Sequence, residues 1–441
     1  MYAAMHDFRY IRHKLYCENV AVNSLVKKFG TPLYIYSQHT LTDHFEKLDK
    51  ALAPLDHLIC FAMKANSNAA VMRTLANLGS GFDVVSEGEL RRVLAAGGDP
   101  EKCVFAGVGK TESEIEFALS EDIYSFNVES EPELARINKV AARMKKVAPV
   151  AVRVNPNVDA KTHAKITTGT YANKFGIPYE EVDGVYARAS RLKNIRLRGL
   201  QMHIGSQLTT VSPFEEAVKK VVPMVEKLAK KYQFDFFSIG GGLGIMYQNA
   251  LSSGSPDWWK RGPAKEILTP AKYAATLVPL LKPLKLRILI EPGRFIVGNA
   301  GILVTRVEYV KQTGKKNFVI VDAAMNDLIR PAFYDSYHEI VPVVEKNGTS
   351  RGEGLVSSDV VGPICESGDF FCKDRPLPKV KEGEHLALLS AGAYGFVMAS
   401  NYNSRPQAAE VLVNGNKAAL VRERQPVEKI WEPEKIPAWL K

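Results

Sequence analysis

The sequence predicts an α/β protein: a parallel (β/α)8, TIM-like barrel followed by a mainly β domain. Short runs rich in Val, Ile, Leu and Phe alternate with amphipathic runs of helical period from about residue 38 to residue 294. Eight strand candidates can be read in that alternation, the number that closes a parallel barrel. Past residue 294 the helical period gives way to β-type runs separated by turn signals.

In chain order, Thr31-Pro32-Leu33-Tyr34-Ile35-Tyr36 reads as a strand ahead of the barrel, placed to pair into the later β-rich part. A helix at 40–52 leads into the strand candidates 58–63, 81–86, 103–107, 124–129, 149–155, 196–204, 234–240 and 286–291. Between them lie helical patterns at 69–78, 87–96, 111–119, 131–146, 178–193, 213–232 and 270–281. Glu131-Pro132-Glu133 and Ser212-Pro213-Phe214-Glu215 are helix entries. Proline lacks the N–H that a first turn leaves unsatisfied, and acidic side chains favour the positive end of the helix. The competing architecture is an open doubly wound sheet. A dinucleotide fingerprint, however, belongs to the first βαβ unit, with an acidic residue ~20 positions on. Gly240-Gly241-Gly242-Leu243-Gly244 follows the seventh strand instead. The β-rich part has runs at 301–310, 317–322, 339–344, 384–390 and 408–421, with Asn347-Gly348 and Asn414-Gly415 as tight-turn pairs. The expected domains are residues 38–294, the barrel, and residues 1–37 with 295–441, a discontinuous β-rich domain.

The 441 residues are 46% hydrophobic and 24% charged, ordinary for a globular protein, and no run approaches the length of a membrane span. Met1-Tyr2-Ala3-Ala4-Met5-His6-Asp7 has no basic and apolar signal pattern, so a cytoplasmic location is expected. The net charge of +10 is spread over helical segments such as Lys219-Lys220 and Lys230-Lys231, with no aromatic-interleaved stripe. Small anions are therefore expected as ligands rather than nucleic acid. Cysteines at 17, 60, 103, 365 and 372 form no C-x-x-C pair, are odd in number, and read as reduced thiols with no metal site.

A barrel of this type keeps its chemistry at the C-terminal ends of its strands. Those ends carry Lys64, Asp83, Asn127 with Glu129, Arg153 with Asn155, His203 with Ser206, Gly240 to Gly242, and Glu291 with Gly293 and Arg294. Alone, Lys64 reads as a surface lysine, the glycines as a flexible loop and His203 as a structural histidine. Together they suggest one site. An amine at an apolar strand end can form a Schiff base. A glycine cradle lets backbone N–H groups approach a phosphate. A carboxylate such as Glu291 can keep a pyridine nitrogen protonated, which makes the ring an electron sink. An imidazole can stack on that ring. The combination describes a pyridoxal 5'-phosphate site.

Extended motifs point the same way. They are Gly30-Thr31-Pro32-Leu33-Tyr34, Phe61-Ala62-Met63-Lys64-Ala65-Asn66, Phe82-Asp83-Val84-Val85-Ser86-Glu87-Gly88-Glu89-Leu90, Asn127-Val128-Glu129-Ser130 and Asn173-Lys174-Phe175-Gly176. To these add His203-Ile204-Gly205-Ser206-Gln207, Glu291-Pro292-Gly293-Arg294, Gly362-Pro363-Ile364-Cys365-Glu366-Ser367-Gly368-Asp369 and Ala391-Gly392-Ala393-Tyr394-Gly395. On these residues the chain resembles, nearly end to end, the fold-type III (alanine racemase-like) pyridoxal-phosphate-dependent decarboxylases, and within them the diaminopimelate decarboxylases. The resemblance implies that Lys64 carries the cofactor covalently, that Asp83, Gly293 and Arg294 also line its site, and that His203 stacks on its ring. It further implies that Ser206, Gly240 to Gly242 and Tyr394 hold the phosphate and that Glu291 faces the ring nitrogen. Arg294, Arg330, Tyr334, Glu366 and Tyr394 would bind substrate, and Cys365 would donate the proton. It implies a head-to-tail homodimer with shared active sites, and decarboxylation of meso-2,6-diaminoheptanedioate (meso-diaminopimelate) to L-lysine and CO2, the last step of lysine biosynthesis.

Two alternatives use the same residues differently. One is a decarboxylase of another basic or D-amino acid. The other is a cofactor-free Schiff-base aldolase barrel, which explains Lys64 but leaves the glycine cradle and Glu291 idle. The segment 249–266, with Trp258-Trp259, reads as a loop near the site mouth.

Overall fold

The computed structural model describes residues 4–158, 173–255, 258, 267–345 and 354–440. The chain divides into two compact units: Leu41–Ile245 with Gly262–Ile296, and Met1–Thr40 with Met246–Arg261 and Val297–Lys441.

The first unit is a closed parallel barrel. Its strands are β1 (His57–Ala62), β2 (Gly81–Val84), β3 (Cys103–Phe105), β4 (Ser125–Val128), β5 (Ala148–Asn155), β6 (Ile195–Met202), β7 (Phe236–Ser238) and β8 (Arg287–Ile290). Each pairs in parallel with the next, and β8 returns to β1 with Ile288 opposite His57 and Ile290 opposite Ile59. All eight expected strands form, because runs such as Leu58-Ile59-Cys60-Phe61 are apolar on both faces and need cover inside and out. Cys60, Val104, Tyr124, Ala151, Phe236 and Leu289 form a buried cluster drawn from strands around the ring. The expected helices also form, and local chemistry starts them. Thr111 and Glu114 make a reciprocal capping box at Glu112–Ser120. Ser86, Ser130 and Thr269 accept backbone N–H groups at the starts of Glu87–Ala95, Glu131–Met144 and Pro270–Leu281. The pattern at 178–193 resolves into a 3-10 turn, Tyr179–Glu181, and a shorter helix, Val182–Ala189.

The second unit is a mainly β domain. Its large sheet runs in the order Phe370–Pro378, Leu355–Val361, Asn317–Val321, Gly301–Gln312, Leu33–Ser37, Ala409–Asn414 and Lys417–Arg422. Leu33–Ser37 sits between two strands from the other end of the chain, antiparallel to one and parallel to the other. Asn414-Gly415 makes the turn of the hairpin that closes this order, with Gly415 at φ 58°. Asn347-Gly348 lies outside the described residues. Phe8, Leu15, Leu25, Leu33, Ile302, Val341 and Val411 belong to the domain's core. Strands Leu355–Val361 and Phe370–Pro378 are additional to those read from sequence. Their polar and proline-containing runs, Ser357-Ser358-Asp359 and Lys373-Asp374-Arg375-Pro376, carry a weak periodic signal, and the ladder they make supplies the order instead. None of the five cysteines is paired, and Cys17, Cys60, Cys103 and Cys372 are buried. Among the described residues no helix is long and apolar enough to cross a membrane.

Candidate active site

Lys64 lies in the single 3-10 turn, Met63–Ala65, that ends β1, and its Nζ donates to Asp83 Oδ2 on β2 at 2.6 Å. The two strands pair with Ala62 opposite Asp83, so the register places the carboxylate beside the amine. The lysine side chain is 40% exposed while that of Asp83 is 1% exposed. The sequence suggested an amine desolvated by an apolar strand end. It faces a buried carboxylate instead, because Asp83 points inward from the neighbouring strand.

Glu291 follows β8 and is 6% exposed. Its Oε1 accepts from Ser238 Oγ at 2.7 Å and from Asn127 Nδ2 at 3.3 Å, and its Oε2 accepts from Gln201 Nε2 at 2.9 Å. Burial, reinforced by the negative charge of Asp83, pushes its pKa up to about 7 against the opposing pull of Ser238, Lys64 and Gln201. Since the folded value lies above the ordinary 4.5, burying this group costs nothing at lower pH. The cost grows as pH rises toward about 7, and a cation brought to the carboxylate would offset it. Gln201 and Ser238 were missed in the sequence. The available signal was two polar residues, opposite one another in the β6–β7 register, at fully buried strand positions.

His203 follows β6 and is half-buried. Its Nδ1 accepts from the Gly241 backbone N–H at 3.2 Å, which places the proton of the neutral ring on Nε2. Burial and the positive charges of Arg153 and Lys64 hold its pKa well below the usual histidine value, so the ring stays neutral. The glycine triplet is required by close approach. A Cβ on Gly241 would lie 2.1 Å from the Glu291 carbonyl oxygen, and one on Gly242, at φ 112°, would lie 2.5 Å from that of Gly205. Arg294, 7% exposed, donates from Nη2 to Ser206 Oγ at 3.2 Å. Gly293 packs where a Cβ would meet Ala65 and Ala62 at the end of β1.

Lys64, Asp83, His203, Ser206, Gly240 to Gly242, Glu291, Gly293 and Arg294 thus occupy the C-terminal ends of barrel strands and the turns that follow. Contacts between β1 and β2, between the β6 and β7 turns, and from Glu291 to β4, β6 and β7 tie them into one rim. Asp83 Oδ1, Asn127 Oδ1 and Gln201 Oε1 are buried there with no hydrogen-bond partner among the described residues. An amine, a carboxylate poised near neutrality, a neutral imidazole and a cradle too tight for any Cβ fit pyridoxal phosphate.

Arg330, Tyr334, Cys365, Glu366 and Tyr394 belong to the β-rich unit. Arg330 opens the short helix Arg330–Tyr334 and is 5% exposed, with Nη1 2.8 Å from His338 Nε2 and Nη2 3.2 Å from Ser336 Oγ. Tyr334 is half-buried and packs edge-on to Phe333. Cys365 and Glu366 are exposed in the turn between Leu355–Val361 and Phe370–Pro378. Asn403 Oδ1 accepts from the Cys365 N–H at 3.1 Å, and Tyr402 donates to Glu366 Oε2 at 2.9 Å. Asp369, 3% exposed, accepts from the backbone N–H groups of Ile364 and Met325, anchoring the base of that turn. Tyr394 is half-buried at φ 56°, an uncommon conformation for a bulky residue and one that recurs at functional sites. The segment read as a loop at 249–266 begins with the short helix Ala250–Ser253, and most of the rest of it lies outside the described residues.

Comparison with known proteins agrees with this site. Residues 38–298 match the pyridoxal-binding domain of the pyridoxal-dependent decarboxylases. A diaminopimelate decarboxylase from Vibrio cholerae is 48% identical over 425 residues, covering 96% of this chain and 97% of that one. The crystal structure of a diaminopimelate decarboxylase from Helicobacter pylori complexed with L-lysine superposes with a TM-score of 0.86 at 38% identity, covering 93% of this chain and 98% of that one. That of the M. jannaschii enzyme, also with L-lysine, gives a TM-score of 0.90 at 34% identity, covering 100% of both chains. The chain belongs to the pyridoxal-dependent decarboxylases and, within them, to the diaminopimelate decarboxylase family.

Proposed function

We propose that the chain removes one carboxylate of meso-2,6-diaminoheptanedioate as CO2 and releases L-lysine. The observation that carries this reading is the pairing of a buried Glu291, held by three barrel strands, with Lys64 at the same rim. An aldolase barrel has no use for that carboxylate. Bound pyridoxal phosphate supplies a conjugated ring that accepts the electron pair left when the carbon–carbon bond breaks. Lys64 is the residue that holds it covalently, and Asp83 keeps the lysine amine in place between turnovers. Glu291 keeps a proton at the ring nitrogen. His203 covers the ring as a neutral imidazole, while Gly240 to Gly242, Ser206 and Tyr394 hold the phosphate.

At the far end of the substrate, Arg330 and Arg294 bind the carboxylate that is retained, with Tyr334 and Tyr394 beside it, and Glu366 binds the ammonium. Cys365 delivers the proton that replaces CO2. The exposure of Cys365 and Glu366 in the single chain supports a head-to-tail homodimer in which this turn serves the partner's barrel. The absence of a membrane-spanning helix among the described residues fits a cytoplasmic enzyme.

The test is CO2 release across diaminopimelate, ornithine, lysine and D-amino acids, with L-lysine quantified. Stoichiometric L-lysine from diaminopimelate is expected, and faster release from any other substrate would reassign the enzyme. Glu291→Gln keeps the shape and removes the charge. Turnover should fall by about 10²-fold or more while cofactor content stays within about twofold. Near wild-type turnover would give the ring nitrogen another partner. Arg330→Lys replaces a bidentate donor with a point charge, so KM for diaminopimelate should rise by about tenfold or more. An unchanged KM would remove Arg330 from the substrate subsite.

A further inference from the structure

We infer that His338, with the ring of Tyr247, is a positioning residue that sets the Arg330 guanidinium for the substrate's retained carboxylate. The inference rests on the reading of Arg330 given above. His338 is 0% exposed, and its two ring nitrogens are committed. Nδ1 lies 2.8 Å from the Leu389 carbonyl oxygen, and Nε2 lies 2.8 Å from Arg330 Nη1. A carbonyl oxygen only accepts, so Nδ1 carries the proton and donates it. A guanidinium only donates, so Nε2 offers its lone pair. Both contacts require the neutral ring in a single tautomer.

This choice of partner matters. A carboxylate in the place of the imidazole would hold Arg330 equally well but would cancel the charge that a substrate carboxylate needs. A neutral acceptor fixes the plane and leaves the charge in place. Tyr247 completes the frame: its ring centroid is 4.7 Å from Arg330 Cζ and 5.4 Å from the His338 ring, which it meets edge-on at 82°. Ser336 accepts from Nη2, so both terminal nitrogens of the guanidinium are set by uncharged groups. The strand pairing of Ile340–Pro342 with His385–Leu388 supports the arrangement, since it carries His338 past the Leu389 carbonyl.

The experiment uses the holoenzyme and two competitive ligands that differ only in the carboxylate. L-Lysine keeps the group Arg330 reads, and 1,5-diaminopentane lacks it. His338→Leu is expected to raise KM for diaminopimelate and Ki for L-lysine by about tenfold, the scale of one hydrogen bond to a charged group. Ki for 1,5-diaminopentane and kcat should each move less than about threefold. His338→Gln, which restores an acceptor oxygen, should recover most of the loss. The double variant Arg330→Lys with His338→Leu should bind L-lysine no more weakly than Arg330→Lys alone. Should His338→Leu fail to fold, Tyr247→Leu at its half-buried position carries the same comparison. If Arg330→Lys discriminates the two ligands but neither His338→Leu nor Tyr247→Leu does, the inference is overturned. If Arg330→Lys itself leaves their ratio unchanged, the reading of Arg330 fails, and the inference goes with it.

Discussion

Replacing Lys64 by alanine should reduce CO2 release by at least about 10³-fold, the loss expected when the residue that forms the covalent link to the cofactor is removed. Borohydride reduction of the wild-type protein should leave a cofactor label on a peptide containing Lys64, and the variant should carry none. The geometry makes this assignment specific. Lys64 is the strand-end amine of β1, it bonds to the buried Asp83 at 2.6 Å, and its charge is felt at Glu291 and His203. Lys110, the other buried lysine near these strands, is fully engaged: its Nζ donates to Glu133 and to the carbonyl oxygens of Gly107 and Asn127. The label on Lys110 or any other lysine would dismantle the arrangement around Asp83 and Glu291. Asp83→Asn offers a graded companion, since it keeps a hydrogen-bond acceptor beside the amine and removes the charge.

The barrel was legible because its strands are short, apolar on both faces and separated by helices whose caps can be read residue by residue, such as Thr111 with Glu114. The rim was legible too, since strand ends are fixed once strands are placed, and Lys64, His203, the glycine triplet and Glu291 all stand there. Three things were not legible. The partners of Glu291 come from β4, β6 and β7, and a polar residue inside an apolar strand announces burial but not what it meets. The support of Arg330 by His338 depends on a tautomer fixed by the Leu389 carbonyl, which no spacing in the sequence specifies. The strands flanking Cys365 were hidden because their order comes from pairing with Asn317–Val321 and with each other rather than from hydrophobic period. Local chemistry therefore located the catalytic groups, while their orientation depends on long-range pairing.

Mixing inactive Lys64→Ala protein with inactive Cys365→Ala protein should restore activity, to about a quarter of the wild-type level at equal mixing and full exchange, if each site draws on two subunits of a symmetric dimer. Half the dimers would then be mixed, and each mixed dimer holds one site with both Lys64 and Cys365 intact. The expectation follows from where the thiol stands. Cys365 is exposed, in contrast to Cys17, Cys60, Cys103 and Cys372, which are buried. Burial pushes the thiols of Cys17 and Cys60 well above their usual range and that of Cys103 up to about 12, so they make poor proton donors near neutrality. A free thiol titrates near ~8.5, close enough to neutrality to protonate a carbanion held against it. The turn that presents Cys365 is anchored by Asp369 and Asn403, a firm mount for a group that acts outside its own unit. Cys365→Ser tests the chemistry apart from the assembly. A hydroxyl is a far weaker acid than a thiol, so kcat should fall by about 10²-fold or more while substrate affinity is kept. Mixed dimers verified by mass that recover no activity would mean that Cys365 acts within its own chain or not at all, and the kcat of Cys365→Ser would then decide which.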